Sequence, residues 1–380
     1  MRDDLELDSI EFSVISSIYF VPLALLPVFA GRLVDRHGLR GIATVVVLLG
    51  GLATLSFALS ASLLAAAGSR LAIGVAAAFG MPMFGVVTAR MLTARGVTLA
   101  MGVITALFGV AGYVGSIAGD SALRKGDWRE PMWIVPVVTL PIAAFVWWCL
   151  RSPSLQQSRS ASAPQQTGFV SAIVQLFAIR EVRSSVMVAF AVGGVFWSFG
   201  GAWNALVARV VWRLPPEEWG AVCGAFHIGM GVAAPLLALW AARVGTRVPI
   251  RITTGLAFLT LCVWLFSPIQ LNALVSQAVV GLLGASASVL AINVASALRC
   301  VPVARAGICA GLLSCAATLG GLLLLVLPPL TTLVPESTPL YRTYFCGAAI
   351  AALLGLAHLS SYGSSSDRVS KSPEPKSCAE

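Results

Sequence analysis

Long apolar stretches alternate with short polar ones along almost the whole chain. A transmembrane helix needs about 20 mostly apolar residues, and most of these stretches have that length. The qualifying stretches are residues 11–31, 42–62, 66–89, 98–119, 131–150, 185–208, 219–241, 249–268, 272–297, 306–330 and 343–360. The pattern therefore predicts an all-α polytopic membrane protein with about eleven transmembrane helices.

The longest polar interruption divides the predicted spans into five and six. It begins with RSPSLQQSRSASAPQQ, rich in Ser, Gln and Pro, and continues with the apolar GFVSAIVQLFAIR, which is too short to span. We interpret the apolar part as a short amphipathic helix at the membrane surface. The predicted domains are an N-terminal bundle (1–150), a cytoplasmic linker (151–184), a six-helix C-terminal bundle (185–361) and a disordered cytoplasmic tail (362–380).

Composition excludes a soluble enzyme. Apolar residues make up 58 % of the chain and charged residues only 11 %, whereas soluble domains carry about 25 % charge. The 8 cysteines show no Cys-x-x-Cys spacing, and the 3 histidines lie far apart in the sequence. We therefore predict no metal site, no cofactor and no catalytic residue.

Basic residues are concentrated in alternate loops. The positive-inside rule then places the loop around 32–41 and the C-terminus in the cytoplasm, and the net charge of +9 reflects topology rather than nucleic-acid binding. This rule gives sidedness but not the organelle, so the plasma membrane and a lysosomal or endosomal membrane both stay open.

One loop of the first half recurs in the second half. Residues 31–40 read GRLVDRHGLR and residues 238–247 read ALWAARVGTR, with Arg, Gly and Arg at the same three places. Each segment ends a predicted span on the cytoplasmic side. Two related halves joined by a polar linker are typical of secondary transporters.

Residues 31–40 resemble the loop signature G-x-L-x-D-R-x-G-x-[RK] between helices two and three of the major facilitator superfamily, although Leu39 departs from its usual basic residue. Arg70-x-x-x-Gly74, followed by Ala78 and Gly80, resembles the Arg-containing signature of that family's fourth helix. The resemblance covers roughly residues 11–360 and implies the family's two-bundle fold.

The position of the loop signature affects the helix count. Because the signature follows the first predicted span, the resemblance implies that the chain begins at family helix two and lacks helix one. An incomplete sequence and a natural eleven-helix protein both fit this arrangement.

The resemblance also implies a latch that holds the two halves together at the cytoplasmic face. A carboxylate at position 35 can meet the positive N-terminus of a helix that begins near Ala306. The alternative is a solvated loop whose charges only set topology. The residues of the predicted latch are Gly31, Asp35, Arg36, Gly38 and Arg40.

Polar and aromatic side chains within the spans are candidates for the solute site. An intramembrane arginine is costly, so Arg70 is a candidate partner for a carboxylate; the alternative is an Arg that snorkels or ties helix ends together. Trp197 and Asn204 share one face of the predicted helix 185–208, although a packing Trp is common. The predicted solute-binding residues are Arg70, Tyr113, Trp197, Asn204, Gln277 and Asn293.

His227 is a candidate proton relay because a histidine titrates near neutral pH, with a packed histidine as the alternative. For Gln277 and Asn293 the alternative is hydrogen bonding between helices.

These features predict a secondary active or facilitative transporter of a small solute that works by alternating access. The spans carry no mid-membrane Asp or Glu, and the predicted fifth family helix lacks a Gly-Pro pair, so proton coupling is disfavoured. The predicted family helices two to five resemble the lysosomal dipeptide transporter branch, which implies a dipeptide moved by uniport. Organic anions, sugars and drugs are the alternative solutes. Expected partners are this solute and membrane lipid, without nucleic acid. The alternative is a non-transporting membrane receptor or accessory subunit.

Overall fold

The computed structural model describes residues 4–5, 7–151, 168–198, 200, 204–210, 212–266 and 271–330, and every regular element in these ranges is helical. The prediction of an all-α polytopic protein is therefore confirmed. The helices of the first half are α1 (Ser9–Ile18), α2 (Phe20–Leu25), α3 (Pro27–His37), α4 (Leu39–Ala58), α5 (Leu63–Ala77), α6 (Gly80–Met91), α7 (Ala94–Lys125) and α8 (Glu130–Cys149).

The second half follows a short linker helix, α9 (Phe169–Ala178). Its helices are α10 (Arg180–Ser198), α11 (Asn204–Val210), α12 (Pro216–Val244), α13 (Arg247–Phe266), α14 (Ala273–Ala287), α15 (Val289–Leu298) and α16 (Ala306–Leu330). The last predicted span (343–360), the predicted tail (362–380) and the first part of the linker lie outside the described residues.

Seven helical segments within the described ranges are long and apolar enough to cross a membrane, and a bent pair makes an eighth. The bent pair corresponds to the first predicted span, where Val14–Leu25 and Pro27–His37 meet at 49°. Pro27 at the start of α3 has no N–H to donate back to the preceding turn, which favours a break there. The span also continues to His37, so Asp35 and Arg36 lie on a helix and not in the predicted loop.

The repeated loop forms the same turn in both halves. Gly38 links α3 to α4 with φ 86° and ψ 162°, and Gly245 links α12 to α13 with φ 87° and ψ 165°. A residue with a Cβ is strained at such positive φ values, which explains why glycine stands at both places. We call the end of the molecule that carries these two turns the turn end.

Replacing Gly38 by Ala is expected to lower the free energy of unfolding by about 1–3 kcal/mol, because the new Cβ is forced into a backbone region used almost only by glycine. Gly41, three residues later, is the matched control. It lies inside α4, and a methyl group added there would have no neighbouring atom within 4 Å, so Gly41→Ala is expected to be neutral or stabilising. Denaturant titration in mixed micelles measures both variants, and equal effects would contradict the turn's role.

The halves meet along two glycine-lined contacts. In the α7–α12 seam, a Cβ on Gly109 would lie 2.6 Å from Gly231 Cα, and one on Gly102 would lie 3.0 Å from the Ala234 carbonyl oxygen. In the α3–α16 seam, a Cβ on Gly31 would collide with the backbone carbonyl of the facing helix. Small residues at these places let the helix backbones approach closely.

The linker helix α9 packs on the first half. The Phe169 ring stacks on Phe29 of α3 with centroids 4.7 Å apart, and the Arg32 guanidinium lies 5.2 Å from the centre of the Phe169 ring. Ala172 and Leu176 of α9 are buried, whereas Val170 of the same helix is 70 % exposed. One face of α9 is thus covered by protein and the opposite face is apolar and exposed, and its place at the membrane surface stays a prediction.

Candidate functional site

The Asp35 carboxylate bridges the two halves at the turn end. Its Oδ1 accepts a hydrogen bond from the Gly307 N–H and its Oδ2 accepts one from the Ile308 N–H, both at 3.2 Å. These N–H groups belong to the first turn of α16, where backbone donors have no partner within the helix and the dipole favours negative charge. Arg90 of α6 lies close enough to Asp35 to interact electrostatically.

The other residues of the predicted latch have different surroundings. Gly31 lies in the α3–α16 seam, where its missing side chain permits the approach that brings Asp35 to α16. Arg36 is exposed. Arg40 points into the first half. Its Nε donates to the Trp147 carbonyl at 3.1 Å, and its guanidinium stacks on the Trp147 ring, 3.6 Å from the ring centre. Arg40 therefore ties α4 to α8.

The two seams are related by the repeat, but their polar contacts differ. The residue that matches Asp35 in the second half is Ala242, which has no carboxylate. Instead Arg299, at the end of α15, donates to the Ala94 carbonyl at 3.1 Å and to the Thr98 hydroxyl at the start of α7. At the turn end a carboxylate fastens the α3–α16 seam, and a guanidinium at the end of α15 fastens the second half to α7.

Arg70 of α5 contacts other helices of its own half. Its Nε and Nη2 donate to the carbonyls of Ile15 and Ser16 at 3.4 Å, and its guanidinium lies 5.3 Å from the Tyr19 ring centre and 5.6 Å from that of Phe57. These groups belong to the end of α1 and to α4. The geometry matches the alternative of an arginine that ties helix ends together, and solute binding by Arg70 stays a prediction.

Arg70→Lys is expected to lower the free energy of unfolding by about 1–2 kcal/mol, because an ammonium cannot bridge two carbonyls and stack on two rings at once. Thermal unfolding in detergent measures the effect, with the exposed Arg95→Lys as control. Unchanged stability with reduced uptake would instead favour the solute-binding role.

Trp197 lies where the halves meet. Its ring contacts Phe20 of α2 edge-on with centroids 5.7 Å apart, and Phe196 of its own helix at 4.9 Å. The prediction that Trp197 and Asn204 share one face assumed a continuous helix. The structure assigns them to α10, which ends at Ser198, and to α11, which begins at Asn204.

Asn204 is 2 % exposed, and neither its amide nitrogen nor its amide oxygen has a hydrogen-bond partner among the described residues. Its helix, α11, packs against α12. A buried amide without a partner is destabilising by about 1–3 kcal/mol, so natural proteins rarely keep one without a reason.

Tyr113 and His227 face each other's helices across the α7–α12 seam. The Tyr113 ring packs over Gly224 of α12, where a Cβ would lie 2.8 Å from it, and the His227 ring packs against Gly112 of α7. The His227 Nδ1 lies 3.3 Å from the Cys223 carbonyl of its own helix. Both side chains are half-buried at the junction of the halves, and their predicted roles stay predictions.

The remaining candidates lie inside the second half. Asn293 is 1 % exposed, and its amide donates to the Ser185 carbonyl at 2.9 Å, which ties α15 to α10. Gln277 is half-buried on α14. Asn293 thus makes a hydrogen bond between helices, which was the alternative to solute binding.

Sequence reasoning missed the residues that face the predicted ones. Gly307 and Gly311 make the close approach of α16 to α3, and Arg90 faces Asp35. The small size of the two glycines and the basic character of Arg90 were visible signals. The pairing itself was not visible, because it depends on which helices pack together.

Helical bundles that meet at glycine-lined seams, with seven or eight segments long and apolar enough to span in the described ranges, define an integral multi-pass membrane protein. The family model of the Major Facilitator Superfamily matches residues 1–323, and the chain belongs to that family. It is therefore a membrane transporter and not an enzyme, and its partners are a small solute and the surrounding lipid. A search of curated protein sequences finds no match.

Solved structures of transporters share the fold. A bacterial homologue of the iron transporter ferroportin in an outward-facing state has a TM-score of 0.71 and 16 % identity, covering 91 % of this chain and 89 % of that one. The E. coli fucose:proton symporter FucP has a TM-score of 0.73 and 12 % identity, covering 94 % and 92 %. The human organic anion transporter MFSD10 (TETRAN) has a TM-score of 0.67 and 15 % identity, covering 92 % and 83 %.

Proposed function

We propose that this transporter moves a small organic solute by alternating access of its two halves, 1–150 and 185–361. Motion at the two seams opens one end while the other closes. The glycine contacts at the seams support this proposal, because helices that touch through backbone and small side chains separate without breaking interlocked large ones. The matching turns at Gly38 and Gly245 are consistent with two halves of common design.

The observation that carries the proposal is the buried amide of Asn204, which has no hydrogen-bond partner among the described residues. A carboxylate or an amide on the solute offers an acceptor for the N–H groups of Asn204. A solute amide also offers a donor for the Asn204 oxygen. Trp197, at the contact with Phe20, adds a flat apolar surface for the rest of such a solute.

The solute class we propose is a dipeptide or another organic anion, moved as a uniporter. Among the described helices, the acidic residues that contact the seams are Asp35, at the turn end, and Asp120, beside Gly220 near the opposite end of the α7–α12 seam. A proton-coupled symporter usually carries a carboxylate at mid-membrane. The similarity to an organic anion transporter agrees with this class, although it supports the fold alone.

We further propose that the turn end faces the cytoplasm and that Asp35 is its latch. Basic residues concentrate at this end, including Arg243, Arg247, Arg299 and Arg305. While Asp35 holds the first turn of α16, the halves stay together at this end, so the solute site communicates with the opposite side.

Uptake into proteoliposomes tests the proposal directly. The full chain is reconstituted and supplied with panels of labelled dipeptides, organic anions, sugars and amines, each with and without a proton gradient. We expect saturable uptake of one dipeptide or organic anion that is independent of the gradient. Gradient-driven uptake would overturn uniport, and failure of every panel would favour the receptor or accessory-subunit alternative.

A further inference from the structure

A separate cavity lies within the second half at the turn end, between the first turns of α10 and α13 and the end of α15. Its volume is about 190 Å³. Pockets for drug-sized molecules usually measure about 300–1,000 Å³, so this cavity suits a single compact group rather than a whole solute. Its lining includes neither Asn204 nor Trp197, and it does not include Asp35.

Cationic groups outnumber acidic ones in the lining of the cavity. Arg247, Arg251 and Arg299 contribute three guanidinium groups, and Glu181 contributes one carboxylate. Arg247 and Arg251 stand four residues apart in the first turns of α13, so they project from one face of the helix. The guanidinium groups have partners in the protein, and an anion would join this network and balance its excess of positive charge.

A buried hydroxyl independently indicates a ligand. Ser184 lines the cavity and is 2 % exposed, and its Oγ has no hydrogen-bond partner among the described residues. Its neighbour in the lining, Asn293, already uses its amide nitrogen on the Ser185 carbonyl. The Ser184 hydroxyl is therefore a buried donor beside the cavity that no described residue uses.

We propose that this cavity binds a phosphate group, either as inorganic phosphate or as the head group of an anionic phospholipid. Guanidinium groups match the oxygens of a phosphate through paired hydrogen bonds, and the N-terminus of α13 adds backbone N–H donors and a favourable dipole. A phosphate carries the charge that three arginines and one glutamate leave unbalanced. The proposal does not depend on which solute the protein transports.

Arg299 connects the phosphate site to the other half, because the same guanidinium lines the cavity and donates to Ala94 and Thr98 of α7. An Arg299 variant would therefore disturb the junction of the halves as well as the cavity. The informative variants are Arg247→Gln with Arg251→Gln, which removes two charges, and Ser184→Ala, which breaks no described hydrogen bond. Arg243→Gln removes an exposed charge at the same end, outside the cavity lining, and is the control.

Thermal unfolding of the delipidated full chain tests the site. Sodium phosphate is titrated against sodium chloride of equal ionic strength, and short-chain phosphatidic acid against phosphatidylcholine. We expect a saturable rise in Tm of about 3 °C, lost in the double arginine variant, kept in Arg243→Gln and shifted to severalfold higher ligand concentration in Ser184→Ala.

The two ligand sources give different results. A rise with inorganic phosphate identifies a soluble anion, and a rise with phosphatidic acid alone identifies a lipid head group. The proposal is overturned if neither probe acts beyond its control, or if Ser184→Ala binds both probes as the unchanged protein does. The Ser184 variant keeps the test decisive even if the double arginine variant does not fold.

Discussion

Asp35→Asn is expected to raise the rate at which a maleimide labels Cys315 about tenfold, in a variant that keeps this cysteine alone. Cys315 is 7 % exposed on α16 and lies against the Val28 backbone of α3, so its thiol becomes accessible when the α3–α16 seam opens. Asn keeps one oxygen but loses the charge that the first turn of α16 binds. Hydrogen bonds to a charged group are worth about 1.5–3 kcal/mol, and about 1.4 kcal/mol corresponds to the tenfold change.

A control at the opposite end separates gating from general loosening. Asp8 also caps a helix, because its Oδ1 accepts the Glu11 N–H at 2.7 Å at the start of α1. Asp8→Asn is expected to leave Cys315 labelling unchanged. If Cys315 is labelled no faster in Asp35→Asn than in the starting protein, the carboxylate does not hold the α3–α16 seam.

A steric variant tests the same seam without changing charge. Gly31→Val places a branched side chain against the Gly307 carbonyl, and no rotation of the side chain removes the clash of its Cβ. The seam must then part, so labelling of Cys315 is expected to rise at least as much as in Asp35→Asn. Agreement between the two variants would assign the effect to separation of α3 from α16.

Asn204→Leu is expected to reduce uptake of the transported solute at least tenfold while leaving the protein as stable as before, or more stable. The amide has no described partner, so the substitution removes no described hydrogen bond from the fold and replaces a buried polar group by an apolar one. The solute, by contrast, loses a hydrogen bond worth about 1.5–3 kcal/mol if it is charged. Uptake in proteoliposomes and Tm in detergent measure the two effects.

Asn293→Leu is the matched comparison, since its amide is equally buried but donates to the Ser185 carbonyl. Removing this donor leaves a carbonyl unpaired and lowers the Tm. The two variants are therefore expected to differ: Asn204→Leu reduces uptake, and Asn293→Leu reduces stability. If Asn204→Leu transports normally, the amide does not bind the solute and the site must lie elsewhere.

Local features of the sequence were sufficient for much of the fold. The length of each apolar run sets whether a helix can span, so most predicted spans fall on helices of the structure. The turn glycines Gly38 and Gly245 were visible as a repeat, because a positive φ makes a local demand that only glycine meets easily. The contact of Asp35 with the helix that begins at Ala306 was implied by the family resemblance, and helix polarity explains why a carboxylate is favoured there.

The tertiary structure decided what depends on the packing of distant helices. Hydrophobic periodicity places Arg70 on a helix face, but only the position of α1 shows that its guanidinium meets the carbonyls of Ile15 and Ser16. In the same way, two similar asparagines differ only in their neighbours: Asn293 finds a carbonyl on α10, and Asn204 finds none among the described residues. Whether a polar group is satisfied is set by residues far away in the chain, and no local pattern carries that information.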